Sequence, residues 1–402
     1  MPPAPDFIDW RRLVVPIYGP TALVATGYGA ILPLVALSAR ALGASVAVAA
    51  LVVGLIGLGQ LVGDLPAGAL AARIGEKWAL VGACLADAAA LLGAYFAGTV
   101  WALAVAVFVT GLAGAVFSLA RQAYLTGAVP IATRARAMST LGGTFRIGTF
   151  VGPFVGAAIV TFAGIATAYA FAAVMCLAAA VLAALLPDLE SHRPAEPVRH
   201  RSVWSVLAEH RRVLLTLGVG VLVISAARAT RQSIVPLWAD AQGIDAATTS
   251  VIFGIAAGVD MLLFYPGGMI MDRFGRVWVA VPSMIVLGLG FVLLPLTSTA
   301  LSVGLVAALM GLGNGISAGI VLTLGADAAP ADGRAQFLGG WRLFADLGNT
   351  LGPFLISAVS VVATLAAASV ALGAITWLGS GWLARWVPAY ADSAGPRRGT
   401  VK

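Results

Sequence analysis

The chain has 402 residues, of which 60% are hydrophobic and 10% charged, with a formal net charge of +7 and a mean hydropathy of +0.98. That balance lies far outside the range of a soluble globular domain, so lipid must be its main solvent. The basic excess sits in connections between apolar runs, which accounts for it by membrane topology and excludes a nucleic-acid partner.

Apolar runs of about 20 residues, enough to cross a hydrocarbon core of about 30 Å, recur along the chain. They fall near 13–37, 46–70, 78–97, 100–125, 138–162, 166–186, 213–237, 248–271, 277–297, 300–326, 337–361 and 364–387. Unbroken runs differ from the short alternating segments of a barrel, so the predicted fold class is all-α integral membrane with about twelve transmembrane helices. The first run follows Asp6, Asp9, Arg11 and Arg12. It is too long for a signal-peptide core and is read as a retained helix.

Arg11 and Arg12, Arg73 and Lys77, Arg134 and Arg136, Arg193 through Arg212, Arg273 and Arg276, Arg334, and Arg397 with Arg398 occupy alternate connections. The positive-inside rule places those connections, and both termini, in the cytoplasm of a cell (inner or plasma) membrane protein. The opposite connections carry little besides Arg40, Asp240 and Asp245.

After the sixth run comes the one long polar stretch, "PDLESHRPAEPVRHRSVWSVLAEHRR", residues 187–212. It divides the chain into an N-terminal six-helix bundle (1–186), a cytoplasmic linker (187–212) and a C-terminal six-helix bundle with a tail (213–402). Val203, Trp204, Val206 and Leu207 beside Arg201, His210, Arg211 and Arg212 fit an interfacial helix at an anionic leaflet; a solvated loop fits equally.

The two bundles are copies. A shift of 200 positions sets Gly54 on Gly254, Pro66 on Pro266, Gly68 on Gly268, Arg73 on Arg273, Gly75 on Gly275, Trp78 on Trp278, Arg134 on Arg334 and Gly152-Pro153-Phe154 on Gly352-Pro353-Phe354. Two six-helix halves that both start inside are parallel pseudo-repeats about an axis along the membrane normal.

On these residues the chain resembles the major facilitator superfamily along essentially its whole length. "GGMIMDRFGR" matches that family's loop pattern G-x-x-x-D-R-x-G-R at Gly268, Asp272, Arg273, Gly275 and Arg276, with a reduced copy at Gly68, Arg73 and Gly75. "GTFVGPFVGA" resembles the fifth-helix pattern of the drug/proton antiporter branches at Gly148, Gly152, Pro153 and Gly156, with Ala157 in place of the last Gly. Those branches usually carry an Arg in the fourth helix three residues before a Q-G pair; the matching positions here are Val107 and Thr110-Gly111.

The resemblance implies that loop charges hold the cytoplasmic side shut. Asp272 and Asp327 correspond by offset to Ala72 and Gly127, so the second half alone is expected to keep an electrostatic latch, with Arg273 meeting Asp327. Tight turns are expected at Gly75 and Gly275, and close helix approach at Gly68 and Gly268.

Charged groups inside the apolar runs are costly and are expected to be paired, water-lined or functional. Asp260 lies 12 residues, or about 18 Å of helix rise, from Asp272 and so near midplane. Arg228 and Arg231 share a helix face, and Arg228 is expected to pair with Asp260. Asp346 occupies the repeat position of Arg146. Asp260 and Asp346 are candidate proton-coupling groups, structural ion pairing being the other reading of each. Asp64 with Arg342 reads as a structural latch, and Asp87 has no assigned role.

By the resemblance, the first, fourth, seventh and tenth helices line a central cavity, with Tyr18, Thr21, Thr26, Tyr28, Thr110, Arg228, Arg231, Gln232, Asn314 and Ser317 as its polar and aromatic inventory. Cys84 and Cys176 lie in apolar runs, and all three His residues lie in the linker. No metal site, nucleotide cradle or cofactor is therefore expected, nor an enzymatic activity. The resemblance implies a monomeric secondary transporter exporting a small amphiphilic compound by proton antiport. A proton symporter or organic-anion carrier using Arg228 and Arg231, and a non-transporting membrane sensor, stand as alternatives.

Overall fold

The computed structural model describes residues 10–187, 203–330 and 332–391. The linker positions 188–202, the N-terminal Asp6 and Asp9, and the tail with Arg397 and Arg398 lie outside the described residues. Within them the chain forms α1 (Trp10–Ile31), α2 (Leu34–Ala41), α3 (Val46–Ile74), α4 (Glu76–Tyr95), α5 (Val100–Ala128), α6 (Ile131–Ala163) and α7 (Ile165–Ala184). After the linker come α8 (Val203–Glu209), α9 (Arg211–Val213), α10 (Val219–Ala241), α11 (Ala246–Phe274), α12 (Val277–Leu293), α13 (Ala300–Ile316), α14 (Ile320–Ala328), α15 (Arg334–Val362) and α16 (Leu365–Ala391). Among the described residues there is no strand.

Among the described residues eleven helical spans are long and apolar enough to cross a bilayer, or twelve if α1 and α2 count as one span bent by 43°. Pro33 sits in that bend, where a residue without an N–H cannot continue the helical ladder. Large side chains such as Trp101, Phe162, Leu301 and Val362 stand exposed, a pattern suited to lipid and not to water.

The repeat is written in the helix boundaries. Starts at Val46 and Ala246, Val100 and Ala300, and Ile165 and Leu365 share the 200-residue offset. So do the N-caps: Thr99 accepts from the Ala102 amide, and Thr299 from the Ser302 amide. Gly75 and Gly275 end α3 and α11 at φ 84° and 98°, a left-handed turn that only glycine adopts without strain.

The described residues fall into two compact units. One runs to Leu34 and resumes at Gly59 through α7; the other joins Val35–Leu58 to α8–α16. The second unit takes in Val35–Leu58 for a local reason. Arg40 donates to Asp240 at 3.0 Å, and Gly57 leaves no room for a side chain against the backbone of Asn349 and Thr350.

In the first unit α6 grips α1 through glycines spaced by four. A Cβ on Gly148 would sit 2.6 Å from the Ala25 Cβ, one on Gly152 2.5 Å from the Thr26 carbonyl oxygen, and one on Gly156 2.6 Å from that of Ala30. Helices in lipid associate by such close packing, since hydrophobic transfer favours neither partner. The core under α4, α5 and α7 is likewise rich in small residues, among them Ala79, Ala83, Ala120, Ala179 and Ala183, around Phe117 and Tyr124.

The latter part of the linker is a helix, α8, docked on α15. Val206 is fully buried and occupies the space beside Gly333, while the His210 ring meets Phe337 edge-on at 5.7 Å.

Candidate functional site

The second unit brings three of its intramembrane charges and an amide together. Arg228 and Arg231 project from α10, three residues apart and so on one face. Asp260 comes from the middle of α11, and Asn314 from the last turn of α13. Close approach of α11 and α13 is what brings them together: a Cβ on Gly315 would lie 2.5 Å from the Asp260 carbonyl oxygen.

Arg231 Nη2 stands 3.9 Å from Asp260 Oδ2, with both side chains almost fully buried. The Asn314 amide donates to the same carboxylate oxygen. Arg231 also lies over the Phe253 ring, 5.8 Å from its centroid, which adds a cation–π attraction. Arg228 Nη2 donates to the Ser317 hydroxyl at 2.9 Å and to its backbone oxygen. Arg228 was the expected partner of Asp260; Arg231, three residues further along α10, stands within ion-pair distance of it, over the Phe253 ring.

Ser317 marks a break. The tenth span is helical to Ile316, non-helical over 317–319, and helical again from Ile320. The matching positions 117–119 lie inside the continuous α5. A helix broken inside a membrane releases backbone groups that can bind a ligand. Beside this break Arg231 Nε, a donor, and Asn314 Oδ1, an acceptor, are buried without a hydrogen-bond partner among the described residues. Buried polar atoms of that kind are rare in finished cores and common where a ligand completes the set.

The other expected site residues are placed as follows. Gln232 is half-buried on α10, next to Arg231 and on another face of the helix. Tyr18 and Tyr28 belong to α1 in the first unit, where the Tyr18 hydroxyl approaches the Ala137 carbonyl at 3.4 Å. Asp346 is buried on α15, with the Arg342 guanidinium 3.4 Å away one turn earlier. Arg146 and Asp64 are half-buried on α6 and α3. Gly148, Gly152 and Gly156 are the contact stripe on α1 described above, and Pro153 lies within α6.

At the repeated loop the structure corrects two expectations. Arg276, not Arg273, meets Asp327, at 2.8 Å, and it also lies 3.7 Å from Asp272 and donates to the Met271 carbonyl. The turn at Gly275 swings Arg276 back over the end of α11, whereas Arg273 remains on the exposed last turn above Phe274. Offset by 200, Arg276 meets Glu76 and Asp327 meets Gly127, so this pair has no counterpart in the first half. Gly68 and Gly268, expected at helix contacts, face open space. The close approaches fall elsewhere, at Gly63 against Leu112 and Ala115 and at Gly267 against Ile316. One position of error in a Gly-Gly pair rotates a residue by 100° around the helix, which carries it off the contact face.

The sequence profile of the Major Facilitator Superfamily matches residues 20–353. The chain belongs to this superfamily. Its fold is similar to that of a POT family transporter in complex with 5-aminolevulinic acid, at 13% identity and a TM-score of 0.74, covering 94% of this chain and 96% of that one. A D-xylose-proton symporter aligns at 15% identity and a TM-score of 0.71, covering 94% and 98%. A POT family transporter in complex with a thioalcohol-conjugated peptide aligns at 13% and 0.74, covering 96% and 97%. No curated protein matches the chain. Membership of this superfamily makes the protein a multi-span membrane transporter.

Proposed function

We propose that the protein is a secondary active transporter that exports a small amphiphilic compound, drug-like or a metabolite, in exchange for protons by alternating access. The Arg228–Arg231–Asp260–Asn314 cluster is its solute site, and Asp260 and Asp346 are its proton-coupling groups. Arg276 with Asp272 and Asp327 serves as the cytoplasmic latch, both termini being cytoplasmic. The observation that carries the reading is the pair of unsatisfied buried atoms, Arg231 Nε and Asn314 Oδ1, beside Asp260 at the broken tenth span.

A second reading is favoured by charge. Two guanidinium groups face one carboxylate here, which suits a solute bearing a carboxylate or phosphate, carried by symport or as an organic anion. The fold accommodates proton symport, one of its structural neighbours being a D-xylose-proton symporter.

The test is solute flux in proteoliposomes across cationic, neutral and anionic amphiphiles. Asn314→Leu is expected to slow the transported solute about tenfold, the equivalent of one hydrogen bond to a charged network worth about 1.5 kcal/mol. Flux of every solute at the wild-type rate in that variant contradicts the assigned site. An anion-only spectrum abolished by Arg228→Ala selects the second reading.

A further inference from the structure

A carboxyl group in the other unit is built differently from Asp260. Asp87 lies in α4, eleven residues and about 16 Å of rise from its first residue, hence deep in the span. It is 93% removed from solvent, with 7% exposure. Its Oδ2 accepts a hydrogen bond from Cys176 Sγ on α7 at 3.4 Å. Its Oδ1 is buried with no hydrogen-bond partner.

No Lys or Arg among the described residues pairs with it, in contrast to Asp260 and Asp346. The groups that face it are Cys84 on its own helix, Cys176 on α7, Thr110 on α5 and Tyr28 from α1. The Thr110 hydroxyl faces the carboxylate without closing a bond to Oδ1. All four are neutral in their ordinary state, and the titratable ones among them, the two thiols and the phenol, become anionic when they lose a proton. The pocket therefore offers a carboxylate no countercharge, and an uncompensated charge at this depth is disfavoured. A carboxylic acid fits it: Oδ1 carries the proton and Oδ2, as the carbonyl oxygen, accepts from Cys176.

We propose that Asp87 is a reversible proton-binding site of the N-terminal unit, distinct from the Asp260 cluster. An O–H bond forms at Oδ1 when the site takes a proton from water and breaks when the proton returns to water. Tyr28, close enough to Asp87 for the two to interact electrostatically and placed on a helix expected to line the transport path, is the group that faces the site from that side. Only the destination of the proton rests on the transporter reading. The protonation itself does not, so the two fail separately.

Infrared spectroscopy of the purified full-length protein in liposomes, titrated from acid to alkaline pH, reads the C=O stretch of protonated carboxyl groups. The expected result is a band present at mildly acidic pH, lost reversibly on alkalinisation, absent from Asp87→Asn and retained in Asp260→Asn. Cys176→Ala, which keeps the carboxyl, is expected to shift the band to higher frequency by removing the S–H···O bond. The proposal is overturned if wild type shows no such band at mildly acidic pH, if Asp87→Asn keeps it, if it does not titrate while the protein remains folded, or if Cys176→Ala leaves its frequency unmoved. None of these readings requires a known solute.

Discussion

Adding a single methyl group at Gly152 tests how the first unit is held together. A Cβ there would meet the Thr26 carbonyl oxygen at 2.5 Å and the Ala30 nitrogen and Gly29 Cα at 2.7 Å, about 0.9 and 0.7 Å inside the 3.4 Å at which ordinary contact begins. All three atoms belong to the α1 backbone, so no side chain can rotate away and the helix itself must move. Overpacking of this kind costs about 1–3 kcal/mol, against a gain of about 0.5–1 kcal/mol from replacing Gly by Ala within a helix. Gly142 lies in the same helix with open space where its Cβ would be. Gly142→Ala should therefore collect the gain alone. Cys84 and Cys176 are both free and buried, which allows a thiol-reactive fluorophore to report unfolding on heating. Gly152→Ala is expected to melt a few degrees below wild type, and Gly142→Ala at or slightly above it. Equal melting of Gly152→Ala and wild type would refute the close-packed α1–α6 contact, as would an equal loss in Gly142→Ala.

Four further outcomes follow from the same geometry. Arg231→Met should lower thermal stability by about 3 kcal/mol by removing one charge partner of a nearly buried carboxylate, and Arg231→Met with Asp260→Asn should recover much of it, as a double-mutant cycle in the same melting assay would show. Arg276→Ala should lose the coupling to Asp327 in such a cycle while Arg273→Ala keeps it; both effects should stay below about 1 kcal/mol because the pair is largely exposed. Asp245 caps α11, and the Thr248 hydroxyl, then the Thr248 amide, hold its carboxyl below the usual range. That stabilisation is present above the unfolded pKa of about 3.9 and fades as pH falls through the folded value, so Asp245→Asn should melt below wild type at neutral pH, by less than about 1 kcal/mol, and with it in acid. Reversing both charges, Arg40→Asp with Asp240→Arg, should restore whatever stability either single reversal loses, as judged by melting of all three variants.

Composition and the 200-residue offset made the number and order of the spans legible, with ends off by up to seven residues at α6, because apolar runs in lipid have no competing interpretation and the Gly and Pro punctuation repeats in register. The expected runs near 46, 100, 248 and 300 begin within two residues of α3, α5, α11 and α13. Side-chain partnerships were harder to read. Arg228 and Arg231 lie on one helix face, and rise alone did not reveal that Arg231 stands beside Asp260. At the loop, the Gly275 turn reverses the chain and delivers Arg276 to Asp327, a consequence of a left-handed φ that no spacing rule encodes. The break at 317–319 has no Pro to announce it; its only signal was Ser and Gly residues, which membrane helices also use for packing. Asp87 was visible as an acid in an apolar run, but its surroundings come from three other helices and became apparent only with the fold.

The measurement that bears most directly on the central claim is solute-driven proton movement in proteoliposomes, wild type against Asp260→Asn. The account predicts that adding a transported solute drives protons across the membrane in wild type, and that Asp260→Asn loses this movement while remaining folded by the thiol assay. Solute flux of undiminished rate with no proton movement, identical in the two proteins, would contradict it and leave Asp260 as a structural partner of Arg231.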